Sequence, residues 1–328
     1  MRRWWMIAVV AFTGSAAACG GGSAGTTTGG SAHPTASSTS GGPGAPPGRI
    51  VFDRQDPSGQ SSVTFMVNAD GTDLRRLYPG ASGNPRWSPD GSRVSVEAAC
   101  RGGGECAATI VDPRTDAFRQ FQFADPTLET FCSIWTPDGK RLACEGHGIK
   151  DARRNGIYTI RASDGSGLTR VTANPGGDDL PIDFSADGRL LFTRTDPSRP
   201  SSTNAAFFVA NADGSHSRRI TPWGTSDDDG GWSPDGSKIV FEQGGSLVTI
   251  RPDGGGQSRI HLDVPGSVNA FDAAWSPDGS GLVFALQVET GPNAGREGIA
   301  TANPDGTDVR MVTTSPSRDE KPDWGRPA

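Results

Sequence analysis

Residues 231–260 read GWSPDGSKIVFEQGGSLVTIRPDGGGQSRI. Short apolar runs alternate here with Asp-Gly turns, in which Gly provides the positive φ that hairpin turns often need. An aromatic residue stands in register with this motif at intervals of 43 to 49 residues along the chain. The six aromatic residues are Trp87, Trp135, Phe184, Trp232, Trp275 and Trp324. Such regular spacing predicts a repeat architecture.

Each repeat contains four short apolar runs, which is typical of a four-stranded β-propeller blade, and no long helical periodicity competes. Trp324 has no strand after it, whereas the first run, from Arg49, has no aromatic strand before it. We therefore predict an all-β, six-bladed propeller over residues 49–328, closed by pairing of the C-terminal strand into the N-terminal blade. The six aromatic residues and the Pro-Asp-Gly turns are interpreted as architecture, each aromatic ring packing between neighbouring blades.

The repeated Trp-Ser-Pro-Asp-Gly motif, followed by Asn-x-Asp-Gly, resembles the TolB-type propeller repeat from Arg49 to Trp324. The resemblance implies a propeller that binds other molecules. Two features depart from the family pattern. TolB carries an additional α/β domain before its propeller, where this sequence has only a linker, and residues 112–116 replace the usual Asp-Gly turn of the second repeat. We therefore carry over the propeller and its binding habit, but no role in the Tol system.

The N-terminal residues predict export. Two arginines, an apolar run and small residues form a signal peptide over residues 1–18. Cys19 follows three alanines and resembles the lipidated cysteine of a bacterial lipobox; an ordinary secretory signal is the alternative. Residues 19–48 are mostly Gly, Ser, Thr, Ala and Pro, which predicts a disordered tether. We expect a lipid-anchored protein on the outer side of the cytoplasmic membrane or in the periplasm, touching the membrane only through its anchor.

The remaining four cysteines form an even set, as expected for disulfides in an exported protein. Cys132 and Cys144 flank one hairpin, and Cys100 and Cys106 bracket a glycine-rich loop. The sequence favours two local disulfides, with a zinc site or free buried thiols as alternatives. A net charge of −6 argues against nucleic acid as a partner.

No catalytic group can be assigned from the sequence. The histidines lie in the linker and in three different repeats, so we interpret each as an incidental surface residue; they are His33, His147, His216 and His261. We therefore predict a monomeric, non-enzymatic scaffold, with no cofactor beyond a potential Ca²⁺, that binds a protein, peptide or glycan. A polysaccharide lyase of the propeller type is the alternative.

Acidic residues recur in the connections that lead into the inner strands. We expect them to form a binding rim at the channel mouth, on the face opposite the uniform Asp-Gly turns, because variable loops on a rigid scaffold commonly carry recognition. The rim residues are Asp179, Asp227, Asp228, Asp229, Asp272, Asp319 and Glu320. Mutual repulsion there would favour a cation at Asp179, Asp227 and Asp319, or a basic partner. Ordinary solvated loop acids are the alternative.

Overall fold

The computed structural model describes residues 48–326, apart from residues 57, 60, 101–105 and 226–228. The predicted signal peptide, Cys19 and the tether therefore lie outside the described residues. Within them the chain forms 24 β-strands and one short 3₁₀ turn, Ala152–Arg154. The described residues contain no helix that is long and apolar enough to cross a membrane.

The strands form six four-stranded sheets, numbered here as blades 1 to 6. The innermost strands of blades 2 to 6 and then blade 1 are β4 (Ser82–Trp87), β8 (Leu128–Trp135), β12 (Asp179–Phe184), β16 (Gly230–Trp232), β20 (Val268–Trp275) and β24 (Asp319–Gly325). The second strands of blades 1 to 6 are β1 (Arg49–Gln55), β5 (Val94–Ala98), β9 (Arg141–Gly148), β13 (Arg189–Thr195), β17 (Ile239–Glu242) and β21 (Leu282–Val288).

The outer half of each blade is a longer third strand and a short edge strand. The third strands are β2 (Ser62–Asn68), β6 (Ala108–Val111), β10 (Gly156–Arg161), β14 (Ala205–Asn211), β18 (Leu247–Ile250) and β22 (Glu297–Ala302). The fourth strands are β3 (Arg75–Arg76), β7 (Phe118–Phe121), β11 (Thr169–Arg170), β15 (Arg218–Arg219), β19 (Ser258–Arg259) and β23 (Arg310–Met311). Such short edge strands offer little template for pairing with another chain.

The ring closes as the sequence predicts. The order of blade 1 is β24-β1-β2-β3, and Ile50 on β1 pairs antiparallel with Trp324 on β24. The six-bladed propeller and its closure by the C-terminal strand are therefore confirmed.

The repeated turn is held by its own side chains. In blade 2, Ser88 Oγ donates to Asp90 Oδ1 at 2.6 Å, and the backbone N–H of Ser92 donates to the same oxygen at 3.0 Å. Gly91 has a φ of 70°, which a residue with a side chain adopts only at a cost. The bonds from Ser88 and Ser92 lower the pKa of Asp90 to about 2. Local turn chemistry therefore accounts for the motif.

The aromatic position joins neighbouring blades. A Cβ on Gly325 of blade 1 would lie 2.4 Å from the Trp87 ring of blade 2, so these surfaces touch. Arginines of the preceding blade lie over some of these rings, for example Arg189 over Trp232 at 4.5 Å from the centroid. The buried apolar residues form six clusters, each between adjacent blades. Because the apolar side chains pack between blades, polar side chains are found near the axis of the ring.

Candidate binding site in the channel

The inner strands surround a central cavity of about 360 Å³. Its wall contains the aromatic, Ser and Pro positions of the repeated turns, including Trp87, Pro89, Trp275 and Pro277. The cavity therefore opens on the Asp-Gly turn face. The sequence predicts recognition on the opposite face, whereas this cavity lies on the turn face, with residues of the repeated turns in its wall.

The floor of the cavity is charged. It contains two cations and four carboxyl groups: Arg86, Lys321, Asp183, Asp229, Asp272 and Asp323. Each lies one or three positions before the aromatic residue of its inner strand. The residues at these positions differ from blade to blade, whereas the turn residues are nearly the same in every blade.

An ion pair crosses the channel. Arg86 of blade 2 donates through Nη2 to Asp229 Oδ1 of blade 5 at 3.0 Å, and these blades are opposite each other in the ring. Lys321 of blade 1 reaches the second oxygen of Asp229 at 3.2 Å. The bridge spans the channel at this level, and its residues form the floor of the cavity. We call this cavity the socket below.

Protons compensate part of the charge in the socket. Burial alone would raise the pKa of Asp229, but Lys321 and Arg86 lower it to about 2. Burial and the nearby charge of Asp229 raise the pKa of Asp272 to about 8, so these two carboxyls share a proton at neutral pH. Burial raises the pKa of Asp183 to about 7 and also raises that of Asp323. The floor is therefore less negative than its number of carboxyls indicates.

Three inner strands carry a left-handed residue at the same position, three before the aromatic. Asn84, Asp272 and Lys321 have φ values of 51°, 56° and 53°. Two of these residues aim their backbone N–H at a carboxylate: Lys321 donates to Asp272 at 3.0 Å, and Asn84 donates to Asp53 at 2.8 Å. Such strained conformations persist where the surroundings enforce them, often at functional sites. These backbone hydrogen bonds hold the carboxylates of Asp272 and Asp53 in place.

Asp179 and Asp319 do not form an exposed rim. Both carboxylates are fully buried, and each is held by an arginine on the second strand of its own blade. Arg194 binds Asp179 at 2.7 and 2.6 Å, and Arg54 binds Asp319 at 2.6 and 2.8 Å. The expectation of repelling charges at these positions is wrong, because antiparallel register places an arginine opposite each acid. Because Arg194 and Arg54 compensate Asp179 and Asp319, repulsion between these two acids no longer argues for a bound cation. A cation at Asp179, Asp227 and Asp319 stays a prediction, since Asp227 lies outside the described residues.

The other predicted rim residues take different places. Asp229 and Asp272 lie in the socket. Glu320 is buried and accepts from Gln55 Nε2 at 2.9 Å, with Arg318 at 3.0 Å. Asp227 and Asp228 lie outside the described residues. A shallow polar groove of about 630 Å³, lined by Gln55, Arg318 and other polar residues, lies on the face opposite the turns.

His147 is not an incidental surface residue. Its Nε2 lies 2.6 Å from Glu145 Oε1, and its Nδ1 lies 3.4 Å from Asp178 Oδ1. Glu145 and His147 share one face of β9 because side chains two residues apart on a strand point the same way. Hydrogen bonds to Asp178 and Glu145 raise the pKa of His147 to about 10. In the described part of the chain this is the one group with the proximity of metal ligands. The imidazole ring of His147, with its raised pKa, already lies between the two carboxylates as their cationic partner.

The cysteines pair as predicted. Cys132 is bonded to Cys144 across β8 and β9, and Cys100 is bonded to Cys106. Both pairs are local, so the zinc site and the free thiols are wrong for these four residues.

Solved structures of other proteins share this fold. TolB from Acinetobacter baumannii superposes with a TM-score of 0.64 at 19% identity, over 85% of this chain and 67% of that one. The fold is that of a TolB-like propeller. A putative TolB from Agrobacterium tumefaciens gives a TM-score of 0.57 at 16% identity, over 84% of this chain and 91% of that one.

Enzymes share the same architecture. An oligogalacturonate lyase in complex with manganese gives a TM-score of 0.53 at 17% identity, over 83% of this chain and 75% of that one. No protein-family model and no curated protein matches the sequence. The predicted resemblance to TolB-type propellers is therefore confirmed for the fold, and one fold can host several functions.

Proposed function

We propose that this TolB-like propeller is a binding scaffold of the cell envelope, whose socket holds a short protruding segment of a protein partner. The observation that carries the proposal is the cross-channel bridge of Arg86, Asp229 and Lys321. A cavity with this bridge across its floor would receive the tip of a segment and hold it against charged groups.

The dimensions and chemistry of the socket suit a peptide. Its volume of about 360 Å³ is within the range of ligand pockets. Tryptophan and proline in the wall offer apolar contact, whereas the floor offers both cations and carboxyls. A peptide segment presents apolar groups, donors and acceptors together. Discrimination among partners comes from the floor, where the blades differ.

The proposed location rests on the N-terminal sequence and on the two disulfides, which persist in oxidising compartments. Anchoring at Cys19 would present the propeller outside the cytoplasmic membrane.

Site-specific photocrosslinking in cells that express the full chain tests the socket. A photoreactive residue replaces Ala186, which is exposed on the socket rim. The matched control replaces Ala212, also exposed, in the turn between β14 and β15 of the same blade. We expect Ala186, but not Ala212, to give an adduct with one segment of one partner. Equal adducts from both positions, or none from Ala186, would refute the proposal.

A synthetic peptide of the crosslinked segment should bind the protein one to one in calorimetry. Arg86→Gln should weaken binding about tenfold, as expected for loss of a charge-assisted contact at the socket floor. Unchanged affinity would show that the segment binds elsewhere.

The Glu145–His147–Asp178 group supports a second candidate, a glycan lyase. Such an enzyme needs a base that accepts a proton, whereas a His147 pKa of about 10 keeps the ring protonated at neutral pH. We therefore rank this function second. Release of unsaturated sugars from acidic polysaccharides, abolished by His147→Ala, would establish it and overturn the scaffold.

A further inference from the structure

Trp223 is the tryptophan that the repeat does not require. The chain has eight tryptophans, of which two lie in the first five residues and five hold the blade position. Trp223 instead lies in the connection between β15 and β16, where it is half-buried. This connection is on the face opposite the socket, so Trp223 has no part in the proposed function.

Trp223 belongs to a cluster of aromatic and cationic side chains on blade 4. Its ring centroid lies 5.9 Å from that of Phe208, and the guanidinium of Arg194 lies 5.3 Å from the Phe208 ring. Arg199 lies 4.9 Å and Arg219 lies 5.3 Å from the Trp223 centroid. Stacking on an aromatic ring orients a guanidinium and leaves the N–H groups at its edge available.

Arg219 differs from the arginines at the same strand position in blades 1 and 3. Arg76 of blade 1 donates to the carbonyls of Tyr78 and Pro79, and Arg170 of blade 3 donates to three carbonyls. Arg219 is exposed, and no side chain or carbonyl in the described ranges accepts a hydrogen bond from it. Its neighbour Arg199 is exposed and pairs with Asp196 at 3.0 Å. Among the described residues, Arg219 is therefore a guanidinium held near an indole ring without a carboxylate partner.

We propose that Arg199, Arg219 and Trp223 form a second binding surface, which takes an acidic segment of a partner protein. Carboxylates match the fork of a guanidinium, and Trp and Arg are the residues that most often dominate the energy of protein interfaces. An acidic peptide fits better than a neutral glycan because two guanidinium groups and Phe208 already cover the indole ring that a sugar would need. The surface lies opposite the socket, so a scaffold could hold two partners together.

The test titrates the full chain with a labelled hexaglutamate peptide at low salt. Binding is followed by the indole N–H resonance of Trp223, which its absence in Trp223→Phe assigns. The control is Arg259→Ala, because Arg259 is exposed, carries the same charge and occupies the same strand position in blade 5 without a neighbouring tryptophan. We expect Arg219→Ala to weaken binding about tenfold and Arg259→Ala to leave it unchanged.

Three results would overturn the proposal. Equal losses in the two arginine variants would show general charge attraction. A Trp223 resonance that does not move at saturation would place the peptide elsewhere. Binding to phosphatidylglycerol vesicles, with none to hexaglutamate, would assign the surface to anionic lipid.

Discussion

Replacing Asp179 by Asn tests the correction made to the acidic rim. The buried carboxylate accepts four hydrogen bonds: two from Arg194, one from Thr172 at 2.5 Å and one from Asn174 at 3.1 Å. An Asn side chain has one oxygen, so its amide group would face two donors. Repelling rim charges would make the substitution stabilising, whereas the structure predicts the opposite.

The magnitude follows from the lost contacts. At least two charge-assisted bonds disappear, each worth about 1.5–3 kcal/mol, and breaking a buried ion pair commonly costs about 3–5 kcal/mol. The Arg194 side chain is 24% exposed, so water can hydrogen-bond to its guanidinium in the variant and offset part of the lost free energy. We expect Asp179→Asn to lower the free energy of unfolding by about 3 kcal/mol, and Asp319→Asn to do the same in the opposite blade.

Urea denaturation at pH 7 with the disulfides intact measures the effect. The control is Asp308→Asn, whose exposed pair with Arg310 should contribute under ~0.5 kcal/mol. Asp308 has a φ of 55°, which Asn tolerates well, so the control adds no backbone strain. A stability gain in Asp179→Asn, or a loss no larger than that of the control, would refute the reasoning.

Three further predictions concern other parts of the chain. The pKa of Asp272 is raised to about 8 in the fold, so its stabilisation is present at low pH and is lost as the pH rises towards 8. Asp272→Asn imitates the protonated form and should be more stable relative to the parent at pH 9 than at pH 5, by thermal unfolding; a constant difference would contradict the shift. Cys132→Ser with Cys144→Ser should cost at most ~3 kcal/mol and preserve the fold by circular dichroism, because the closed loop is short; a disordered spectrum would show a larger role. Cys19→Ala should abolish metabolic labelling with palmitate, and an unlabelled parent chain would replace the anchor by simple secretion.

Local chemistry made much of the fold predictable. Turns such as Ser88–Asp90–Gly91 need only neighbouring residues, and their repetition fixed the number of blades and the partner of β1. The pairing of Asp179 with Arg194 was also within reach, because the two residues are nearly equidistant from one hairpin turn. Comparison of the acids between repeats does not reveal this pairing, because the partner of Asp179 lies across the hairpin of its own blade.

The socket could not be predicted in the same way. Arg86, Asp229 and Lys321 come from three blades, and each is unremarkable within its own repeat. Only the geometry of the closed ring shows that a side chain of blade 2 reaches blade 5. The left-handed backbone of Lys321, which directs its N–H to Asp272, likewise has no signal in residue type, because Lys is not a residue expected at positive φ.

The closure of blade 1 also determines how the propeller bears mechanical load. A pull on the chain that precedes Gly48 acts on β1, which lies between β24 and β2 and not at the edge of its sheet. The force therefore shears two ladders of hydrogen bonds at once, where an edge strand would peel away one bond at a time. If the tether anchors the protein to a membrane, a force that a partner exerts on the domain is carried by β1. This strand is hydrogen-bonded to a neighbour on each side.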